Sequence, residues 1–557
     1  MKKYLFYFLI TISFSGIGQS SKSKNIRDHF PKFEEVLTYL DNNIKTGCDD
    51  CFFNIAKKPA GYFLQIKSND KPYQVIEEVV IWSAESKRFN KIYIDSYLKS
   101  MESYSEYRNY FKSDEECNEY LKSQKGLSGL KNKSYQYDFM LFYGYSGYSK
   151  DIIDFFDGES NLSIDDLEQL ARAYDFNAGN CIHPAQWGST PKFALNFKET
   201  NYETIESFRI VLFLELADKS LSYYDEIIQR DRDFETFLIG NVELKKANNC
   251  MHYYNSLRSV KEDQLANIYL KKAEYPDRYI EMAKTYLDDC SPNSILITNG
   301  DSDTYPLWYV QDQLGYRKDV AVLNASLMSA TWFLKMNKEK YQLEMQLDLD
   351  ACFEYEIGYA VIVDDKSDEK NQVGTLINEF NNNILLSAEE GYILLNTGES
   401  YIVNYQDTMM DVKLKKQHLF LSDLALLDII QNNPTKKIHF ASSYNLSSFG
   451  WDNNYKQRMI GCELTPNAEI EKYDTFSRKL IEKNINNLKP DQFMKLGNFR
   501  LSILYGYYMY LNDLLEDQPD EARILYDIID TKLPDDLFLG DEKLLEIKDY
   551  LNSLFKK

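Results

Sequence analysis

The chain predicts an α/β domain joined to all-α segments, with a small antiparallel β layer near its N-terminus. Three observations lead there. Between 291 and 470, short β-branched apolar runs alternate with helical stretches, the pattern of strands linked by crossovers. From 96 to 290, and again from 471 to 557, apolar residues recur at helical spacing with no strand signal between them. Residues 61–67 (Gly-Tyr-Phe-Leu-Gln-Ile-Lys) alternate apolar and polar, as a half-buried strand does, and Ser-Asn-Asp-Lys follows as a turn.

In chain order, Lys2 and Lys3 precede an apolar run over 4–17, and Gly18, Gln19 and Ser20 close it. This is the layout of a secretory signal peptide over 1–20. The alternative, a membrane anchor, needs a longer apolar run. No Cys follows directly, which disfavours a bacterial lipid anchor, and no later segment has spanning length. The expected location is periplasmic or secreted, with no transmembrane segment after cleavage. With 86 acidic and 64 basic residues, the net charge of −22 argues against nucleic acid and anionic lipid as partners.

Residues 21–95 are expected to hold a helix and then the antiparallel layer, with further strands at 75–82 and 91–94. In the helical region, Ser163 followed by Asp166 has the spacing of a capping box. Tyr279, Met282, Ala283, Tyr286 and Leu287 fall on one stripe of a helix over 278–287. Ala171, Ala173, Ala217, Ala266 and Ala283 suit close helix approach. The helix pairs resemble tetratricopeptide-like repeats, without a fixed period. Residues 144–153 and 177–184 read as irregular interruptions.

The α/β part is organised around 294–327. Residues 295–298 and 320–323 are buried strands. Asn299 to Asp303 has turn chemistry. Thr304 is expected to cap a short helix with Pro306 in its first turn, and Gly315 to end it in the left-handed region. Further on, a helix is expected over 330–344, a hairpin around Asn396-Thr-Gly-Glu399, a helix over 419–430 and a strand over 437–443. The β-α-β unit implies a Rossmann-like parallel sheet whose ligands sit beyond the carboxyl ends of the strands.

The strings Asn299-Gly-Asp-Ser-Asp-Thr-Tyr-Pro-Leu-Trp-Tyr309 and Arg317-Lys-Asp-Val-Ala-Val-Leu-Asn-Ala-Ser-Leu327 resemble the soluble C-terminal portion of the protein O-mannosyltransferase-like membrane proteins, a domain of unknown function. The likeness runs over about 294–466, through Met459-Ile-Gly-Cys-Glu-Leu-Thr-Pro466. In that family mannose transfer is ascribed to the membrane-spanning half, and no residue of this chain matches it. The resemblance therefore implies a fold and not that activity.

Asp301, Ser302 and Asp303 lie where an α/β ligand site would form, with Asn324, Ser326 and Arg317 on the same rim and Glu399 and His439 as further candidates. Asp301 and Asp303 could hold a divalent cation, bond sugar hydroxyls or act as a general base; turn closure and helix capping, which need no ligand, are the favoured explanation. Arg317 either clamps an anion or pairs with a nearby acid. His439 fits a structural histidine, and none of the five His residues has zinc-ligand spacing. Cys48 and Cys51 form a C-x-x-C; a structural disulfide fits better than a redox pair, because the cysteines follow a helix rather than open one. The aromatic cluster over 135–143 suits packing more than sugar stacking.

The expectation is an exported, non-catalytic scaffold or binding protein of the bacterial envelope that recognises a polypeptide or glycan and needs no cofactor. The alternatives are a glycan- or phosphoester-acting enzyme using Asp301 and Asp303 with a divalent cation, and thiol-disulfide exchange at Cys48 and Cys51.

Overall fold

The computed structural model describes residues 52–58, 61–67, 78–83, 86, 88–91, 152–153, 156–182, 202–236, 240–354, 359–362, 371–384, 393–395, 400–414, 418–441, 449–451, 454–459, 461–466, 475–487, 496, 498–533 and 542–555. The expectations for the signal peptide, Cys48 and Cys51, the 135–143 cluster and Glu399 lie outside the described residues.

The N-terminal layer is β1 (Phe52–Lys58), β2 (Gly61–Lys67), β3 (Glu78–Ser83) and β4 (Arg88–Lys91), all antiparallel and in that order. Strand β1 begins directly after Cys51 and adds an edge to the strands expected from alternation.

Next come α1 (Ile164–Ile182), α2 (Tyr202–Arg230), the short β5 (Glu235–Thr236) and β6 (Gly240–Asn241), α3 (Val242–Ser259), α4 (Asp263–Lys272) and α5 (Asp277–Asp289). Ser163 caps α1: its Oγ accepts from the Asp166 amide at 3.1 Å and donates to the Asp166 carboxylate at 2.6 Å. The expected interruption at 177–182 is instead the last turns of α1. Asn177 Nδ2 bonds the Ala173 carbonyl one turn back at 2.8 Å. The α5 stripe holds in full: Tyr279, Met282, Ala283, Tyr286 and Leu287 are all buried.

The α/β part contains β7 (Ile295–Thr298), α6 (Asp301–Asp312), β8 (Ala321–Asn324), α7 (Thr331–Tyr341), α8 (Leu349–Glu354), β9 (Tyr359–Ile362), β10 (Asn371–Gln372), α9 (Val373–Asn383), β11 (Ile393–Leu395), β12 (Ser400–Tyr405), β13 (Thr408–Lys413), β14 (His418–Phe420), α10 (Leu421–Asn432), β15 (Ile438–Ala441), β16 (Tyr455–Gln457) and β17 (Gly461–Leu464). The main sheet has the order β16-β17-β15-β7-β8. Its β15-β7-β8 half is parallel, with Ile438 beside Ile295 and Ile295 beside Ala321. Strands β17 and β16 return antiparallel on the other edge. Gly461 is required there, because a Cβ would sit 2.0 Å from the Phe440 carbonyl oxygen.

Two expectations fail in this region. Helix α6 starts at Asp301, so Thr304 is not its cap and Pro306 lies inside the helix. The hairpin across 396–399 does not form either. Strand β11 pairs with β9, whereas β12 pairs with β10 and β13 in a separate sheet. The hairpin is β12–β13, turning on Gln406 and Asp407 at φ of 50° and 57°. Both are left-handed, as a tight primed turn demands, without the Asn-Gly signature that would mark it in sequence.

Helices α11 (Thr475–Asn487), α12 (Asn498–Asp517), α13 (Pro519–Lys532) and α14 (Glu542–Phe555) end the fold. One apolar cluster runs through the helical, α/β and C-terminal parts, from Ala178 and Met251 through Ile297, Val322 and Phe440 to Leu511 and Leu551. Each large apolar side chain in it contributes about 1.5–3 kcal/mol by leaving water.

Candidate functional site

The sequence from Thr298 to Ser302 explains the geometry at the carboxyl ends of β7 and β8. Only Asn299 and Gly300 separate the strand from α6. Asp303, at the third helical position, folds back on them. Its Oδ1 accepts from the Gly300 amide at 2.7 Å and its Oδ2 from the Asn299 amide at 3.2 Å. Of the two readings of Asp303, helix capping is the one its geometry fits, and the side chain is buried.

Thr304 ties the strand ends together. Its hydroxyl donates to the Gly300 carbonyl at 2.5 Å, accepts from Asn324 Nδ2 at 2.9 Å and shares a 2.6 Å hydrogen bond with Thr298 Oγ1. Asn324 is fully buried, and its Oδ1 accepts from the Leu327 amide at 3.1 Å. Ser326 donates to the Asn299 carbonyl at 3.2 Å. These residues fix the shape of the rim and leave Asp301 exposed and Ser302 half-buried at its edge. Pro306 has no N–H to offer the Ser302 carbonyl four residues earlier, so this carbonyl has no helical partner.

Arg317 does not join the rim. It precedes β8, so the length of that strand, about 13 Å, separates it from Asn324. There it forks onto Asp319 at 2.8 and 3.0 Å and donates to the carbonyls of Leu287, Cys290 and Ser291, closing the C-terminus of α5. His439 belongs to the same end. Its Nε2 accepts from the Ser291 amide at 3.1 Å. Burial, reinforced by Arg458, Lys437 and Arg317, holds its pKa well below the ordinary histidine value, so it stays neutral.

The site gains residues that sequence reasoning missed, chiefly from α3. Thirteen of its eighteen residues are buried, and these include Lys245, Asn248, Asn249, Asn255 and Ser256. Asn248 bridges the helical and α/β parts: its Nδ2 donates to Ser302 Oγ at 3.0 Å and its Oδ1 accepts from Tyr275 OH at 2.7 Å. The Tyr305 phenol lies near the Asp301 carboxylate. Burial is the main cause that raises the Tyr275 and Tyr305 phenols well above their ordinary value, with Asp301 adding to it for Tyr305 and Cys250 and then Asp301 for Tyr275.

On the other flank of α3, Lys245 Nζ donates to Asp175 Oδ2 at 3.2 Å and to Asn249 Oδ1 at 2.6 Å. Tyr253 OH donates to Asp175 Oδ1 at 2.9 Å. Burial works against the charged form of Asp175, but Lys245, His252 and Tyr253 outweigh it and the pKa is lowered. The available signal was a helix-length run, Asn248-Asn-Cys-Met-His-Tyr-Tyr-Asn255, with polar residues on every face; a buried helix of that kind needs polar partners around it.

Among the described residues, no group of three or more His, Cys, Asp or Glu is arranged to hold a metal ion. Among the described residues, Cys250, Cys290, Cys352 and Cys462 are free thiols. Burial pushes the thiols of Cys250, Cys352 and Cys462 up to about 12, which makes them poor nucleophiles. No helix among the described residues is long and apolar enough to cross a membrane.

These features define a mixed helix-and-sheet protein in which a hydrogen-bonded polar band joins a parallel-sheet rim to a buried helix. Residues 279–385, from α5 through α9, match the family model for TMEM260-associated domain 2. Comparisons with curated proteins and with solved structures return no match.

Proposed function

We propose that this protein is an exported, non-catalytic scaffold or binding protein of the bacterial envelope that recognises a polypeptide or glycan at the rim of Asp301, Ser302 and the band behind them. The observation that carries the reading is the Tyr275–Asn248–Ser302 chain of hydrogen bonds, which locks a half-buried hydroxyl at the mouth of a parallel sheet. A preorganised set of neutral donors and acceptors suits recognition, because its groups are ordered before a ligand arrives. With Asp303 bound to two amides, Asp301 stands without the second free carboxylate that a two-acid mechanism or a cation site would use.

The β7-α6-β8 crossover supports a Rossmann-like reading of the sheet, and the helix pairs around it a tetratricopeptide-like one. TMEM260, for which the matched model is named, is described as O-mannosyltransferase-like, and this supports a link to envelope protein glycosylation. In this reading the chain presents or holds a partner of that chemistry.

The test is a photoreactive amino acid placed at 301 in cells exporting the full chain. One polypeptide or glycan adduct is expected, lost when Ser302→Ala and Asn248→Ala are added. Diffuse labelling would sink the proposal. So would turnover of a glycan or phosphoester that stops in Asp301→Ala.

A further inference from the structure

The polar band holds more hydrogen-bonding capacity than it uses. Asn249 is 3% exposed, its Oδ1 accepts from Lys245, and its Nδ2 has no hydrogen-bond partner. A buried amide donor left unsatisfied costs about 1–3 kcal/mol, so such a group calls for an occupant. Beside it stands Asp175: Asp175 Oδ2 and Asn249 Oδ1 lie 3.2 and 2.6 Å from the same Lys245 nitrogen. A carboxylate has about four acceptor positions, and Tyr253 and Lys245 take two of those on Asp175. The seam meets the surface at Asp175, whose side chain is 12% exposed, and at half-buried His252, while the Asn249 nitrogen is enclosed, so a hydroxyl reaches it only as side chains at this edge move.

We infer that Asp175 and Asn249 form a sugar-hydroxyl subsite, in which a ring hydroxyl accepts from Asn249 Nδ2 and donates to Asp175. This rests on the reading of the protein as a binding module and narrows its ligand to a neutral glycan. Charge supports the narrowing. Lys245 is already neutralised by Asp175, so the subsite offers no net positive charge to an anion, and the chain carries −22 overall. A peptide fits less well. Strand addition needs a free sheet edge and helix docking an apolar groove, whereas this place is a helix-helix seam whose backbone groups are spent within α1 and α3. A hydroxyl both donates and accepts, which is what an unspent amide donor beside an unspent carboxylate lone pair requires.

The experiment uses the purified mature chain with methyl α-glycosides of mannose, glucose and galactose and their neutral disaccharides as probes. Ligand-observed NMR and titration calorimetry read binding, and the Asn249 side-chain amide resonance is assigned by its loss in Asn249→Ala. At least one sugar is expected to bind and to shift that resonance. Asn249→Ala is expected to weaken binding about tenfold, the worth of one hydrogen bond, with an unchanged melting temperature. Asn249→Asp, which replaces the donor by an acceptor, should weaken it further. Should Asn249→Ala lower the melting temperature, the shift of the wild-type amide resonance decides.

Sugar binding that ignores Asn249→Ala but weakens in Ser302→Ala overturns the subsite and leaves the binding module standing. So does a polypeptide adduct at 301 with no sugar binding. An Asn249 amide that every sugar leaves unmoved assigns its donor to a structural water and overturns the subsite. Absence of both sugar binding and any adduct removes the subsite and the proposed function together.

Discussion

At the amino end of the central sheet the polar groups are charged and mostly buried; at the carboxyl end they are mostly neutral and partly open. Arg458 is 4% exposed, donates to the Asp289 carbonyl and lies 3.7 Å from both Asp289 Oδ1 and Glu463 Oε2. Lys437 reaches Glu463 at 2.7 Å, and Arg317 closes the end of α5. The opposite end relies on Thr298, Thr304, Asn324 and Ser302, with Asn299, Asp301 and Ser326 exposed beside them. Buried charges must be answered by fixed counter-charges, which commits them to holding the fold. Neutral groups cost less to leave partly exposed, so the carboxyl end is the one free to exchange partners.

The contrast breaks first at Arg458. Arg458→Met removes the buried cation that faces Asp289 and Glu463, and chemical denaturation should show a loss of about 3–5 kcal/mol.

The amino end also makes stability depend on pH. Buried neutral His439 has its pKa depressed, whereas in the unfolded chain it titrates near 6.5. The unfolded state thus binds the extra proton, and stability falls as pH drops below about 6.5, by up to about 1.4 kcal/mol per unit for this one group. Melting curves from pH 8 to 5 should show that slope, and His439→Gln should flatten it.

At the carboxyl end, Asn324→Leu removes a buried bridge between α6 and the β8 exit. It should cost about 1–3 kcal/mol, read by the same denaturation.

The smallest effects separate the two aspartates. Asp303→Ala loses a cap worth about 0.5–2 kcal/mol. Asp301→Ala should stay within about 0.5 kcal/mol of wild type while weakening ligand binding. Equal destabilisation by both would mean that Asp301 also serves the fold.

How much of this was legible follows from which interactions are local. The β7-α6-β8 crossover, the Ser163 cap and the α5 stripe depend on residues within a few turns of one another, and the sequence displays them. The turn chemistry of Asp303 places it in the loop in sequence, whereas it stands in the first turn of α6, and its bonds to the Asn299 and Gly300 amides start the helix earlier and put Pro306 inside it. Arg317 was placed on the rim because it lies between two rim residues in sequence; a strand has two ends, and it sits at the other. The β12–β13 turn was missed because Gln406 and Asp407 carry no strong left-handed preference. The Asp175–Lys245–Asn249 band was missed because its partners are 70 residues apart and meet only through tertiary packing.

The pairing of β7 has a practical consequence. Its neighbour β15 begins at Ile438, well past residue 385 where the family match ends. A fragment cut to the matched boundaries would carry β7 with one flank bare, an unpaired apolar ribbon prone to self-association. Residues 279–385 are thus a unit of recognisable ancestry rather than an autonomous folding unit, and experiments on the rim call for the intact polypeptide.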